Sequence, residues 1–373
     1  MSVKQDVYVA LSAKIGVVGY PRYIEILKNE MTPEEAELTV DLSEGLTTGQ
    51  LMEKLNIDEK TLSDRIEDLV RRHFIRRREG GKYAIPQMPR FFPRINNTPK
   101  LKELWFDFFH SGDYVEIDVS HMKARAQKRP QIRSHKIIPA RKAFLASPNI
   151  RKEQVLWYED MEQIFERSQS ISQGGFNNEN RTLGSVDACG CRRYWGTCDS
   201  PGGCTGWEWK EGVWGKGNPA GLPFGERNKV TFEQALACCD IMENHGLIHM
   251  SPNTGQITST CNCCECCCEI ISGFKKLANI WELISPSRFK AIIDEEKCRG
   301  CQTCLERCHF DAIEMRKVPG SKKMKAFIIA EHCMGCGLCI FKCPNQAMRF
   351  EVIRPPAHIP VITMAELFSG AVM

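Results

Sequence analysis

The hydrophobic positions of the first ninety residues recur at helical spacing. Residues 32–35 read TPEE, a Thr cap, a Pro in the first helical position and a Glu three residues after the cap, which predicts a capping box and a helix start. Residues 47–50 (TTGQ) repeat the signal and open a short helix through GQLMEKLN. The next stretch, IDEKTLSDRIEDLVRRHF, places Leu62, Ile66, Leu69 and Val70 on one helical face. Residues 76–85 (RRREGGKYAI) then read as two short strands about the Gly80-Gly81 turn.

Beyond this unit the pattern changes. Prolines at 86 and 89 lead into, and those at 93, 99, 130, 139 and 148 punctuate, a connecting region, 91–150, that holds one aromatic helical stretch, LKELWFDFFH. Residues 231–245 predict another helix, with Phe232, Ala235, Leu236, Cys239 and Met242 on one face. That spacing makes Cys239 a small core residue rather than a ligand, with Cys238 less defined. His245 and His249 are expected as cap or surface residues, although both can ligate a metal. The organisation expected is α+β and multidomain: an N-terminal unit (1–90), the connecting region (91–150), a central Cys-rich domain (151–285) and a C-terminal domain (286–373).

Composition alters this picture in one respect. The chain has 373 residues and an ordinary balance of apolar and charged positions, but it carries 20 cysteines. No stretch reads as a secretion signal or membrane span, so a cytoplasmic location is expected. Thiols stay reduced there, and clustered cysteines are then metal ligands rather than disulfides. Net charge is only +4, yet residues 121–152 hold ten Lys or Arg and no Asp or Glu. That segment is either a solvated basic loop or a docking surface for a phosphate-bearing ligand or an acidic protein such as a redox partner.

Two cysteine runs repeat. Residues 298–308 read CRGCQTCLERC and residues 333–344 read CMGCGLCIFKCP, both C-x2-C-x2-C-x3-C. Three thiolates at x2 spacing curl around one cubane while the fourth reaches the other cubane. The spacing therefore predicts Cys298, Cys301, Cys304 and Cys343 on one [4Fe-4S] cluster, and Cys333, Cys336, Cys339 and Cys308 on a second. Glycines at 300, 335 and 337 suit loops wrapped tightly around clusters. The first copy has His309 where the second has Pro344, and lysines 317, 322, 323 and 325 lie between the copies, on a docking loop or a solvated hairpin. Fully thiolate-ligated cubanes leave no site for substrate, so one-electron transfer is the chemistry expected.

The central cysteines are less regular. Residues 189–204 read CGCRRYWGTCDSPGGC, whose turn lets Cys189, Cys191, Cys198 and Cys204 face one point, with Arg192 and Arg193 offsetting thiolate charge. This fits structural zinc poorly. Residues 261–268 read CNCCECCC, and Cys261, Cys263, Cys264, Cys266, Cys267 and Cys268 offer competing registers. Cys261, Cys264 and Cys267 share the x2, x2 spacing of the ferredoxin loops, and an extended run can serve two clusters or one cluster plus nearby thiols. The two motifs together read as one composite site for one or two further iron-sulfur clusters, expected as [4Fe-4S], with zinc less favoured. Trp195, Trp207, Trp209 and Trp214 beside it would exclude water from a cluster or form a cofactor platform.

Three resemblances extend this reading. The C-terminal repeat resembles a bacterial 2[4Fe-4S] ferredoxin, which implies a (βαβ)2 dicluster domain. Helix, turn, helix and hairpin over residues 30–86 resemble a winged helix of the MarR type. However, Asp58, Glu59, Asp64, Glu67 and Asp68 lead the helix that would meet DNA, so protein docking is favoured. CxCR, the EQAL helix with GLIH, and CNCC, in that domain order, resemble a group of multi-cluster iron-sulfur proteins from anaerobic microbes. That resemblance implies an electron-transfer component serving a partner oxidoreductase rather than a stand-alone catalyst. A redox-sensing DNA-binding regulator and a reductase using an incompletely ligated cluster or reactive thiols are the alternatives.

Overall fold

The computed structural model describes residues 6–72, 74–77, 82–85, 98–128, 133–170, 198, 200, 205–206, 232–255, 257, 259–277, 279–320 and 323–362. Two compact units result, Met1–His121 and Met122–Gly370. Cys189, Cys191 and Cys204, the arginines at 192 and 193, and the four tryptophans beside them lie outside the described residues, as does the Gly80-Gly81 turn.

In the first unit, α1 (Val7–Ile15), α2 (Pro21–Glu30), α3 (Pro33–Glu44), α4 (Thr48–Leu55) and α5 (Glu59–Arg71) precede a hairpin of β1 (Arg76–Arg77) and β2 (Tyr83–Ala84). Both capping boxes form: Thr32 with Glu35 and Thr47 with Gln50 satisfy orphan N–H groups at the starts of α3 and α4. Leu62, Ile66 and Leu69 of α5 are buried as their spacing requires. Some of the charge in the unit is paired internally. Arg72 donates to Glu35 (2.7 Å) and Asp68 (2.9 Å), and Arg77 pairs with Glu67. The helix α6 (Pro99–His110) packs on α2, where Trp105 and Phe108 meet Tyr23. A further helix, α7 (Asp113–Lys128), follows.

The second unit is built on β3 (His135–Ile138), α8 (Arg141–Leu145), α9 (Met161–Ser170), β4 (Thr205–Gly206), α10 (Phe232–His245), β5 (Ile248–Pro252), β6 (Ser259–Cys263), α11 (Glu269–Leu277), α12 (Ile280–Leu283) and β7 (Ile284–Ser285). Its sheet has the order β4-β6-β5-β3-β7, antiparallel except for β3 with β7. The strand β3 runs through this sheet fully buried, so residues 135–138 of the basic stretch are interior. Arg141 is tied to Asp240 at 2.7 Å. The basic stretch is thus not a continuous exposed docking loop.

Lys136 shows what this burial does. Its ammonium lies over the Tyr158 ring at 4.8 Å and donates to the Thr254 carbonyl. Burial pushes its pKa down to about 7, with Glu159 opposing. Between about pH 7 and the ordinary lysine range the unfolded chain binds the proton and the folded chain does not, so stability rises with pH across that window. We predict that Lys136→Met raises thermal stability at neutral pH and flattens the slope, which is bounded at roughly 1.4 kcal/mol per pH unit. Thermal unfolding under argon at several pH values measures it, and an unchanged slope would contradict it.

The C-terminal segment contributes β8 (Phe289–Ile293), α13 (Thr303–Glu306), β9 (Ile313–Lys317), β10 (Met324–Ile328) and β11 (Met348–Val352). Two antiparallel pairs, β8 with β11 and β9 with β10, carry the cysteine loops. This segment packs directly on the central one. Phe144 of α8 meets Phe289 at 5.0 Å and Phe350 at 5.3 Å. Arg288 makes a buried ion pair with Glu159 at 3.0 Å. No helix of the described residues is long and apolar enough to cross a membrane.

Candidate metal centres

The two C-terminal loops are conformationally matched. Gly300 and Gly335 both have φ +68°, Gln302 and Gly337 have φ +69° and +78°, and Asp311 and Gln346 have φ +52° and +47°. Each fourth cysteine accepts an N–H from four residues on: Ala312 N to Cys308 Sγ at 3.3 Å and Ala347 N to Cys343 Sγ at 3.4 Å. Such N–H to sulfur bonds stabilise thiolate.

The thiols assort into two groups. Cys304 has Cys298, Cys301 and Cys343 as its thiol neighbours, and these four line one cavity with Ile293, Met315, Ala326, Ala347 and Met348. Cys339 feels the thiols of Cys336, Cys333 and Cys308 most strongly, with Cys304 of the first group after them. Burial pushes the Cys304 thiol up to about 11 and that of Cys336 up to about 12. Thiolates at such positions require a compensating cation, which a metal cluster supplies. Four sulfur donors around an apolar cavity therefore suit a [4Fe-4S] cubane.

The surroundings differ between the groups. Cys301 is exposed and contacts the Thr303 hydroxyl at 3.6 Å. The second group has the half-buried Arg307 beside Cys336 and Cys339, and Arg354 beside Cys333.

In the central segment, β6 delivers CNC, a turn holds Glu265 to Cys267, and α11 begins at Glu269. Alternation along β6 puts Cys261 and Cys263 on one face and Asn262 on the other. The neighbouring thiols of Cys261 and Cys268, together with burial, push the Cys263 thiol well up. Cys264, Cys266 and Cys267 instead gather with Cys198, all four sulfurs lying within 4.8 Å of one another. Cys198 Sγ is 3.4 Å from Cys267 and 3.8 Å from Cys264, and Cys266 is 3.6 Å from Cys267. Burial raises the Cys198 thiol, but bonds from Ser200 and the thiols of Cys267 and Cys266 outweigh it and bring it to about 6. The x2, x2 register of Cys261, Cys264 and Cys267 is thus not gathered at one point. Cys238 and Cys239 are buried in α10, where burial raises both thiols.

A polar network behind the strand escapes sequence reasoning. His249 is 1% exposed, not a surface residue, because β5 pairs it opposite Asn262. Its ring contacts Asn262 Oδ1 at 2.6 Å and Glu243 Oε1 at 3.2 Å. Glu243 in turn accepts from the backbone N–H groups of Arg141 (2.7 Å) and Lys142 (3.1 Å), and Ala140 N donates to the Cys336 carbonyl at 2.8 Å. The signal available in the sequence was Glu243 itself, which continues the buried face of Cys239 and Met242.

His309, the departure from the ferredoxin repeat, joins the two segments. Its Nε2 lies 2.7 Å from the Gly246 carbonyl and its Nδ1 3.4 Å from Glu265 Oε2. Its own carbonyl accepts from Lys275 at 2.6 Å, and Lys275 also contacts Glu265 at 3.5 Å. Glu265 stands between Cys264 and Cys266, and His309 follows Cys308. The loop of the central thiols therefore meets the loop of the second C-terminal group.

Comparison with known proteins agrees with the C-terminal geometry. A family model described as a 4Fe-4S dicluster domain matches residues 291–350. The chain is accordingly an iron-sulfur protein, with its dicluster segment confined to the last third of the sequence. It matches no curated protein at a significant level.

Proposed function

We propose that the protein is a multi-centre electron carrier. Cys298, Cys301, Cys304 and Cys343 hold one [4Fe-4S] cluster, Cys333, Cys336, Cys339 and Cys308 the other, and the central thiols a third redox centre facing a partner oxidoreductase. The clusters supply one-electron chemistry when bound. The observation that carries the reading is the contact of Glu265 with His309, which brings the central thiol loop against the residue following Cys308.

The chain's own residues set the conditions for transfer. Arg307 and Arg354 place positive charge at the second group, which favours the more reduced, more negative state there. The buried Asn262, His249 and Glu243 fix the strand that carries the central thiols. Cys301, exposed at the first group, marks an edge through which a partner can exchange electrons. A reductive titration that counts electrons per chain tests the proposal. A third one-electron step supports the relay, and two steps alone overturn it.

A second reading has one supporting observation. Helices α3 to α5 followed by the β1–β2 hairpin have the order of a winged helix, the arrangement of many DNA-binding regulators. Its charges favour a protein partner instead, since Asp58 caps the helix α5 at its N-terminus and Arg72 and Arg77 are engaged by acidic groups of the same unit. Salt-sensitive binding to upstream DNA would restore the regulator.

A further inference from the structure

We propose that Cys198, Cys264, Cys266 and Cys267 form a tetrathiolate site for a single thiophilic metal ion, iron or zinc, in place of a cubane. The inference names the occupant of the site given a relay role above, and does not depend on that role.

The spacing carries the argument. An ion with four sulfur ligands at about 2.3 Å in tetrahedral array holds those sulfurs about 3.8 Å apart. Three of the separations here are 3.4, 3.6 and 3.8 Å, and the remaining pairs stay within 4.8 Å. The thiolates of a cubane sit on four different irons and must stand wider than those sharing one ion.

The same chain supplies the comparison. Among the described residues, the central quartet is the one set of His, Cys, Asp or Glu ligand atoms this tightly gathered. Neither C-terminal quartet contracts to that spacing, although both surround their own sites. The fold thus distinguishes two kinds of thiol group.

Local structure explains the tightness. Cys264, Cys266 and Cys267 belong to one turn between β6 and α11, so three ligands come from four consecutive positions. Cys198 arrives from a separate stretch and closes the set, with the Ser200 hydroxyl 3.5 Å from its sulfur. Cys261, Cys263 and Cys268 form a separate thiol group and provide a control, being equally close in sequence but outside the quartet.

The test is metal content by mass spectrometry of the full chain purified anaerobically, with X-ray absorption at the edge of the bound metal. About eight irons plus one further ion per chain is expected, as nine irons or as eight irons and one zinc. Cys198→Ser and Cys266→Ser lose that one ion and keep about eight irons, whereas Cys261→Ser keeps it. The ion lost from the variants shows a single sulfur shell near about 2.3 Å without metal–metal scattering.

Ten or more irons, metal–metal scattering that disappears with Cys198→Ser, or no ion beyond the eight would overturn the proposal. The wild-type count decides even if a variant fails to fold. One zinc supports the single-ion site while removing it from the electron path, so failure of the relay and failure of this inference give different results.

Discussion

Replacing Cys308 by Ala is expected to strip or convert the cluster of the second loop and leave the first intact, although Cys308 belongs to the first motif in sequence. Cys343→Ala should do the converse. Cys304 is grouped with Cys343 and Cys339 with Cys308, because the x3 spacing carries each fourth thiol across to the other site. Iron analysis with low-temperature EPR of the variants, both oxidised and reduced, measures the effect. About four of eight irons should go, or a three-iron signal should replace the four-iron one at the crossed site. Loss from the site nearest in sequence would contradict the grouping.

The second large effect is expected at Gly335. Its φ of +68° already disfavours any other residue, and a Cβ there would overlap the Phe289 carbonyl oxygen and the Ser287 hydroxyl. Left-handed strain alone costs about 1–2 kcal/mol. Overlap with the backbone of β8 adds to it, because a strand carbonyl cannot swing aside as a flexible side chain can. Gly335→Ala should therefore lose about 3 kcal/mol or more, with iron lost from the second site. Gly320, at φ +79° with open space around it, is the control, since Gly320→Ala carries only the strain. Equal destabilisation of the two variants, read by anaerobic thermal unfolding, would contradict the steric argument.

Sequence spacing was most legible where it repeated, and the dicluster family model matches the same segment. Two copies of C-x2-C-x2-C-x3-C determine which thiols can share a cubane, since loop length restricts which sulfurs converge. The capping boxes at Thr32 and Thr47 were equally readable, because their hydrogen bonds span only three residues. CNCCECCC resisted the same treatment. Its partition depends on where β6 ends and the turn begins, and one residue of difference moves every thiol to the other face.

Long-range pairings were likewise hidden. His249 reads as a polar residue after a helix, and only its pairing opposite Asn262 on the neighbouring strand makes it interior. Basic residues near Lys136 suggested a solvated stretch, yet apolar Ile137 and Ile138 beside it take the strand into the sheet. His309 was visible as a departure from the repeat, but its purpose depends on Gly246 and Glu265, more than forty residues away.

In the proposed function the two C-terminal clusters and the central thiols form one electron path. Anaerobic titration of the full chain with a calibrated one-electron reductant, followed by EPR and visible absorption, tests it most directly. Three one-electron steps per chain are expected, of which Cys198→Ser abolishes one and leaves the two cubane steps in place. Two steps in the wild-type chain, unchanged by Cys198→Ser, would contradict it.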